Sequence, residues 1–208
     1  MLNSFLDQLA LIGPVDWIAT FTGLIGVFLS VKERVSAWPF LITCSLAYIY
    51  ICIRLGYYAS ASMNAVFVGI AVYGWCNWAG LIGGDKDRRA SPKVSRLSSQ
   101  HWPYVTVFIA LFTLIIGTLL AQTNRAQLPY FDAFAVGTSL AAQWMLSRKH
   151  IENWLLWVIA DVTYVGIYFS TQHWTSVFLF CTFTLLACKG WHDWKQLVIR
   201  DDEPSRIA

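Results

Sequence analysis

Charge is scarce in this chain. Lys, Arg, Asp and Glu make up 13% of its 208 residues against 57% hydrophobic residues, where an average soluble domain is roughly 25% charged. That balance argues against a water-soluble fold. No Cys-x-x-Cys pair and no histidine at zinc-ligand spacing occurs, so redox and structural-zinc roles have no support. The five cysteines, Cys44, Cys52, Cys76, Cys181 and Cys188, lie in or beside apolar stretches and read as small buried hydrophobes. No metal and no cofactor is expected. A net charge of +3, with Lys and Arg in short clusters between apolar runs, excludes a nucleic-acid binder. No histidine falls within a span beside a second catalytic candidate, so an enzyme is not expected. A basic n-region is also missing before Pro14, which argues against a removable signal peptide.

What is abundant is aromatic: 16% of the chain, with eleven Trp, many of them flanking apolar stretches where an amphipathic ring sits at headgroup level. Phe5, Leu6 and Leu9 recur at helical spacing opposite Asp7 and Gln8, which predicts an interfacial helix over residues 1–14. Seven stretches are long enough to span a bilayer: residues 17–31, 38–57, 61–79, 102–121, 131–146, 154–170 and 174–191. Backbone groups in lipid must be satisfied internally, so each is expected to be helical. With seven spans, twelve Lys and Arg fall on one side of the membrane (Lys32, Arg34, Lys86, Arg88, Arg89, Lys93, Arg96, Arg148, Lys149, Lys195, Arg200 and Arg206) and two, Arg54 and Arg125, on the other. The basic side is expected to be cytoplasmic, with the N-terminus outside and the C-terminus inside.

The chain also repeats itself. A constant offset of 116 lays residues 16–78 over residues 132–194 without a gap, pairing Asp16 with Asp132, Thr22 with Thr138, Trp38 with Trp154 and Tyr48 with Tyr164. Gly74-Trp75-x-x-Trp78 falls on Gly190-Trp191-x-x-Trp194. Paired Trp and Asp at helix ends mark a duplication. Three spans is an odd number, so the unpaired span between the copies restores their common orientation. The expected fold is an all-α membrane protein of seven transmembrane helices, two parallel three-helix repeats plus one linking helix (3+1+3), as in SWEET-type sugar transporters. Its expected divisions are an interfacial helix at 1–14, a first repeat at 15–80, a linker at 81–101, a linking helix at 102–122, a second repeat at 129–195 and a tail at 196–208.

The second repeat is the more polar at depth: Ser45 becomes Asp161, Val27 becomes Gln143, Ala37 becomes Asn153 and Tyr73 becomes Lys189. Asn153, Trp157, Asp161, Tyr164 and Tyr168 are spaced by three and four and share one helix face. At about 1.5 Å of rise per residue, Asp161 lies roughly 10 Å and Tyr164 roughly 15 Å from the cytoplasmic end, while Gln143 and Lys189 lie roughly 13 Å and 8 Å from it. These groups define a candidate site with Gln143 and Asn153 as hydrogen-bonders, Trp157, Tyr164 and Tyr168 as ring faces, and Asp161 as the anion. The alternative is that Asp161 and Lys189 neutralise one another as a structural ion pair, with Lys189 also readable as a snorkelling lysine; for Asp161 the functional reading is the stronger. Trp75 and Trp191 serve either as belt anchors or as substrate contacts. Asn64 reads as a helix-packing group or a ligand. Arg148, Lys149 and Glu152 are explained by a topology signal and a cap-type ion pair in one turn.

Gln143-Trp144, Arg148-Lys149-x-x-Glu152-Asn153-Trp154, Trp157, Asp161, Tyr164 and the closing Gly190-Trp191-x-x-Trp194 together resemble the PnuC-type nicotinamide riboside transporters of bacteria. The resemblance covers essentially the whole chain. It implies a trimer in the bacterial inner membrane that admits nicotinamide riboside by facilitated diffusion, with the cargo trapped by phosphorylation inside the cell. Relatives assigned to thiamine, riboflavin or deoxynucleosides leave those cargoes open, and a non-transporting receptor with the same fold is a further alternative.

Overall fold

Pro14 opens the first long helix at a position where its missing N–H costs nothing, and Asp16 Oδ2 accepts the Gly13 N–H at 3.2 Å. From there most of the described residues are helical. The computed structural model describes residues 2–10, 12–82, 92–123 and 127–202. Among the described residues it holds eight α-helices: α1 (Leu2–Ala10), α2 (Pro14–Val31), α3 (Ala37–Arg54), α4 (Tyr58–Trp78), α5 (Trp102–Gln122), α6 (Pro129–Ser147), α7 (Asn153–Ser170) and α8 (Trp174–Asp202), with a 3-10 turn at Ser99–His101. Lys86, Arg88, Arg89, Arg125 and Arg206 of the charge count, residues 83–91 of the expected linker and the end of the tail lie outside the described residues.

By length and composition α2, α3, α5 and α8 qualify as membrane spans. The other three long helices are more polar and carry Asn64 and Asn77 in α4, Asp132 and Gln143 in α6, and Asn153 and Asp161 in α7. The last helix differs from the expected boundary. It runs 29 residues to Asp202, well past the expected end at residue 191, because nothing in the sequence breaks it there and its polar end carries side-chain pairs one turn apart, Lys189–Asp193 and His192–Gln196.

Neighbouring helices form a closed ring in the order α2, α3, α4, α6, α7, α8 and back to α2, with α5 set against α6 and α1 against α8. Under the 116-residue offset α2, α3 and α4 correspond to α6, α7 and α8. The α4–α6 seam is therefore the equivalent of the α8–α2 seam, as a two-fold axis between the triplets requires.

The axis is visible in side chains. A Cβ on Gly74 would fall inside the Trp38 ring and one on Gly190 inside the Trp154 ring, so both glycines are needed for close approach. Trp38 meets Trp78 edge-on at 5.2 Å and 89°, and Trp154 meets Trp194 at 5.4 Å and 89°. Trp78 and Trp194 touch across the axis at 6.1 Å. All four indoles are no more than 1% exposed, and each such aromatic pair adds about 0.5–1.5 kcal/mol to the area it buries. Each triplet also donates an indole N–H to the other: Trp78 Nε1 to the Leu146 carbonyl at 3.2 Å and Trp194 Nε1 to the Val31 carbonyl at 3.1 Å.

The turns after α2 and α6 match as well. Glu33 N–H donates to the Ser30 carbonyl and Arg34 N–H to the Leu29 carbonyl; Lys149 N–H donates to the Leu146 carbonyl and His150 N–H to the Met145 carbonyl. This is the Schellman closure, which places one residue in the left-handed region. Glu33 (φ 52°) and Lys149 (φ 58°) occupy it. The described end of the linker lies along the second of these turns: Ser95 pairs through its backbone with Lys149 and Ile151, and the Leu97 N–H donates to Glu152 Oε2 at 2.8 Å. At the other end of the bundle, Gln8 of α1 spans the α7–α8 turn, donating to the Gln172 carbonyl and accepting from the Thr175 N–H.

Candidate functional site

The site is built on α6 and α7, the two helices whose polar side chains are most enclosed. Asp132, Ser139 and Gln143 fall seven and four residues apart and so share one face of α6. On α7, Asn153, Trp157, Asp161, Tyr164 and Tyr168 share a face by the same rule.

Asp161 is 4% exposed. Its ion partner is not Lys189. The ammonium of Lys189 lies 3.3 Å from Asp193, one turn further along α8, and Asp193 also takes Lys32 at 3.6 Å. Counting from the outer end of its span, the sequence places Lys189 roughly 8 Å from the cytoplasmic boundary. In α8, which runs on to Asp202, Lys189 lies about midway along the helix and half of its side chain is exposed. The structural ion pair between Asp161 and Lys189 is thus not formed, and Asp161 has no charged partner among the described residues. Lys149 likewise pairs across the bundle with Glu33 at 3.1 Å and not with Glu152, whose carboxylate is occupied by Leu97 N–H.

Beyond Asp161 the face turns aromatic. Tyr164 packs at a tilt against Phe180 of α8 at 4.6 Å and 32°, and Phe180 stacks on Tyr168 at 5.5 Å, the two tyrosine rings lying 6.1 Å apart. The Tyr164 hydroxyl has Ser139, Asp132 and Asp161 as polar neighbours. Tyr48 of α3, in the other triplet, lies within electrostatic range of Tyr168 and Asp16. Phe180, Ser139 and Tyr48 were not singled out as site residues by sequence reasoning. One signal pointed to Phe180: at the offset of 116 it stands where the first repeat has Asn64.

Gln143 is 5% exposed, and its amide makes no hydrogen bond among the described residues. Asn153 is fully buried; its Nδ2 donates to the His150 carbonyl at 2.6 Å while Oδ1 has no partner, and Thr138 Oγ1 is buried and unpartnered on α6. An unpartnered buried acceptor costs about 1–3 kcal/mol. Trp157 is half-buried and packs against both core clusters. Trp191 is half-buried against the Trp cluster. Trp75 is 42% exposed on the outer surface of α4. Asn64 is half-buried and turned back on its own helix, donating to the Ser60 carbonyl at 3.0 Å. The structure therefore gathers Asp161, Tyr164 and Tyr168 into one cluster and sets Lys189 and Trp75 on the outside. Of the cysteines, Cys181 and Cys188 are exposed while Cys44, Cys52 and Cys76 are half-buried, so reading all five as buried was too strong; on a lipid-facing surface an exposed thiol is as well placed as a buried one.

Outside the spans, His150 in the α6–α7 turn shares a contact with Ser95 Oγ at 3.2 Å. Burial pushes its pKa down; the Glu152 carboxylate opposes this, and the charges of Arg148 and His101 add to it.

Comparison with known proteins agrees with this architecture. The nicotinamide riboside transporter PnuC of Escherichia coli is 23% identical over 201 residues, covering 86% of this chain and 84% of that protein. The riboflavin/roseoflavin transporter RibM of Streptomyces davaonensis is 25% identical over 193 residues, covering 91% and 88%. A crystal structure of the vitamin B3 transporter PnuC superposes with a TM-score of 0.70 at 19% identity, covering 96% of this chain and 90% of that one, which establishes a shared fold. The sequence model described as nicotinamide mononucleotide transporter matches residues 13–196. The chain is accordingly a multi-pass membrane protein and not an enzyme, and it belongs to the nicotinamide mononucleotide transporter family, the family of the PnuC vitamin transporters.

Proposed function

We propose that this protein admits nicotinamide riboside by facilitated diffusion, with the cargo trapped by phosphorylation inside the cell. The observation that carries the reading is the buried Asp161 without a cationic partner, set beside the Tyr164–Phe180–Tyr168 rings. An enclosed carboxylate in a membrane protein is costly unless a cation or water meets it. Nicotinamide riboside brings a pyridinium cation, which ring faces attract by about 2 kcal/mol when desolvated. Gln143 and Asn153 supply hydrogen-bonding groups for the ribose and carboxamide, and Trp157 a further ring face. Trp191 is a contact at the edge of this set. Asn64, Trp75 and Lys189 are assigned to packing and surface roles.

All seven long helices cross the membrane in this reading, the unpaired α5 between the triplets restoring their common orientation. The basic end faces the cytoplasm of a bacterial cell, with the N-terminus outside, and the protein works as a trimer. Transport proceeds by rocking of one triplet against the other. One carboxylate at depth in the site face does not make a proton relay, so the process is uniport.

A second reading has its own support. RibM covers slightly more of this chain at slightly higher identity, and riboflavin also offers a planar ring with a polyol. Riboflavin is neutral, so it would leave Asp161 uncompensated. Binding of radiolabelled nicotinamide riboside to the purified protein, competed with riboflavin and thiamine, decides between them. No retention of the nicotinamide riboside label by protein that binds radiolabelled riboflavin would overturn the proposal.

A further inference from the structure

Glu33 and Lys149 are separated by 116 residues, the repeat offset itself, and they touch: Lys149 Nζ lies 3.1 Å from Glu33 Oε2. A position that meets its own equivalent lies on the two-fold axis. In a pair of identical triplets both residues would carry the same charge and repel. The fused chain instead carries opposite signs there. Both residues hold the left-handed position that closes their helix, a place where glycine is usual and a side chain costs about 1–2 kcal/mol. That cost is retained twice, at equivalent sites, for two side chains that reach each other.

The surroundings make the pair more than a surface contact. Only 5% of the Lys149 side chain is exposed, and its ammonium lies 4.6 Å from the Trp78 ring centroid, over the plug of four buried tryptophans. Among the described residues, the other side-chain bonds across the two seams at this end are indole or amide donors to backbone carbonyls, Trp78 to Leu146, Trp194 to Val31 and Asn77 to Ser147, together with the more exposed pair Lys32–Asp193. A charge-assisted bond is roughly twice as strong as a neutral one. The buried ammonium also makes the closure conditional: without the Glu33 carboxylate, the closed end would hold an uncompensated charge, which is strongly unfavourable.

We propose that Glu33 and Lys149 form a latch on the axis that closes this end of the bundle, and that passage of cargo through this end requires the pair to separate. The inference rests on the rocking transporter described above, but not on which side of the membrane the latch faces or on which vitamin is carried. Separation hydrates both charges, so neutralising Glu33 favours the open arrangement, whereas neutralising Lys149 removes the charge that had to be buried and favours it less.

The test is a spin-label distance measurement on the full chain in liposomes, with native cysteines replaced and labels at Ser36→Cys and Arg148→Cys, both exposed positions on the two facing turns. Wild type should give one dominant short distance. Glu33→Gln should raise the ratio of a longer population by about tenfold, Glu33→Lys by more, and Lys149→Gln by less than either. The swap Glu33→Lys with Lys149→Glu should restore the wild-type distribution, which also guards against a single variant that fails to fold. If Glu33→Gln and Glu33→Lys lower thermal stability while the distance distribution stays at the wild-type one, the pair is a static clasp and the proposal is overturned. Nicotinamide riboside binding to the same samples is read separately: no binding with an intact latch response refutes the cargo reading and leaves the latch standing.

Discussion

Laid over one another, α2 and α6 differ first in burial: five residues of α2 are buried and twelve of α6. The pair α3 and α7 differs in the same sense, three against five. The frame is common to both triplets, down to the Gly–Trp contacts and the Schellman turns. The difference comes from what has been added to one side. Helix α5 lies against α6, with Gly117 seating Tyr130 and Gly137 seating Phe112, and the linker straps the α6–α7 turn. With its outer face covered by protein, the second triplet can keep Asp161, Gln143 and Asn153 out of lipid, where the first has Ser45, Val27 and Ala37. Duplication supplied the scaffold; the unsymmetrical covering allows the polar site.

The largest expected effect tests the shared part of that comparison. Gly74→Ala and Gly190→Ala each place a Cβ closer than 3.0 Å to a buried indole, and each should cost about 3 kcal/mol or fail to fold, read as melting temperature by size-exclusion chromatography. A loss in only one of the two would break the symmetry argument. The next effects test the difference. Trp157→Ala and Gln143→Ala should each weaken nicotinamide riboside binding by about 1–3 kcal/mol, measured by radioligand saturation; Gln143→Ala should leave the folding yield little changed, whereas Trp157→Ala also loses packing against both core clusters and should lower the melting temperature. Ser45→Ala, the counterpart of Asp161 in the first triplet, should change affinity by less than about 0.5 kcal/mol; a loss as large as that of Trp157→Ala would show both triplets contributing. The smallest effect concerns the strap. Because burial depresses the His150 pKa, the unfolded chain binds more protons than the folded one below the ordinary histidine range. Stability should therefore be complete above about pH 6.5 and fall as pH drops through that value. His150→Gln should flatten the slope in a pH series of melting curves.

The frame was legible because large, rare residues carried it. Trp38, Trp154, Gly74 and Gly190 recur at one offset, and no run of interchangeable Leu and Ile could have marked it so clearly. The candidate cluster was legible in part. Asp161, Tyr164 and Tyr168 follow from helical spacing on one face, but Phe180 looks like any lipid-facing phenylalanine until its packing against two tyrosines is seen. One reading paired Lys189 with Asp161, because spacing along a helix does not say which way a long side chain turns; in the structure it turns to Asp193 on its own helix. The Glu33–Lys149 contact escaped notice for another reason: equivalence by offset says that two positions are alike, and only the position of the axis says that they meet.

The central claim is that the second triplet binds a cationic cargo through Asp161. Titration of nicotinamide riboside against wild type and Asp161→Asn, with melting temperatures taken on the same preparations, tests it most directly. The account predicts a Kd raised by roughly tenfold to a hundredfold at an unchanged melting temperature, since the substitution keeps shape and removes only the charge. An unchanged Kd, with or without a fall in melting temperature, would contradict it.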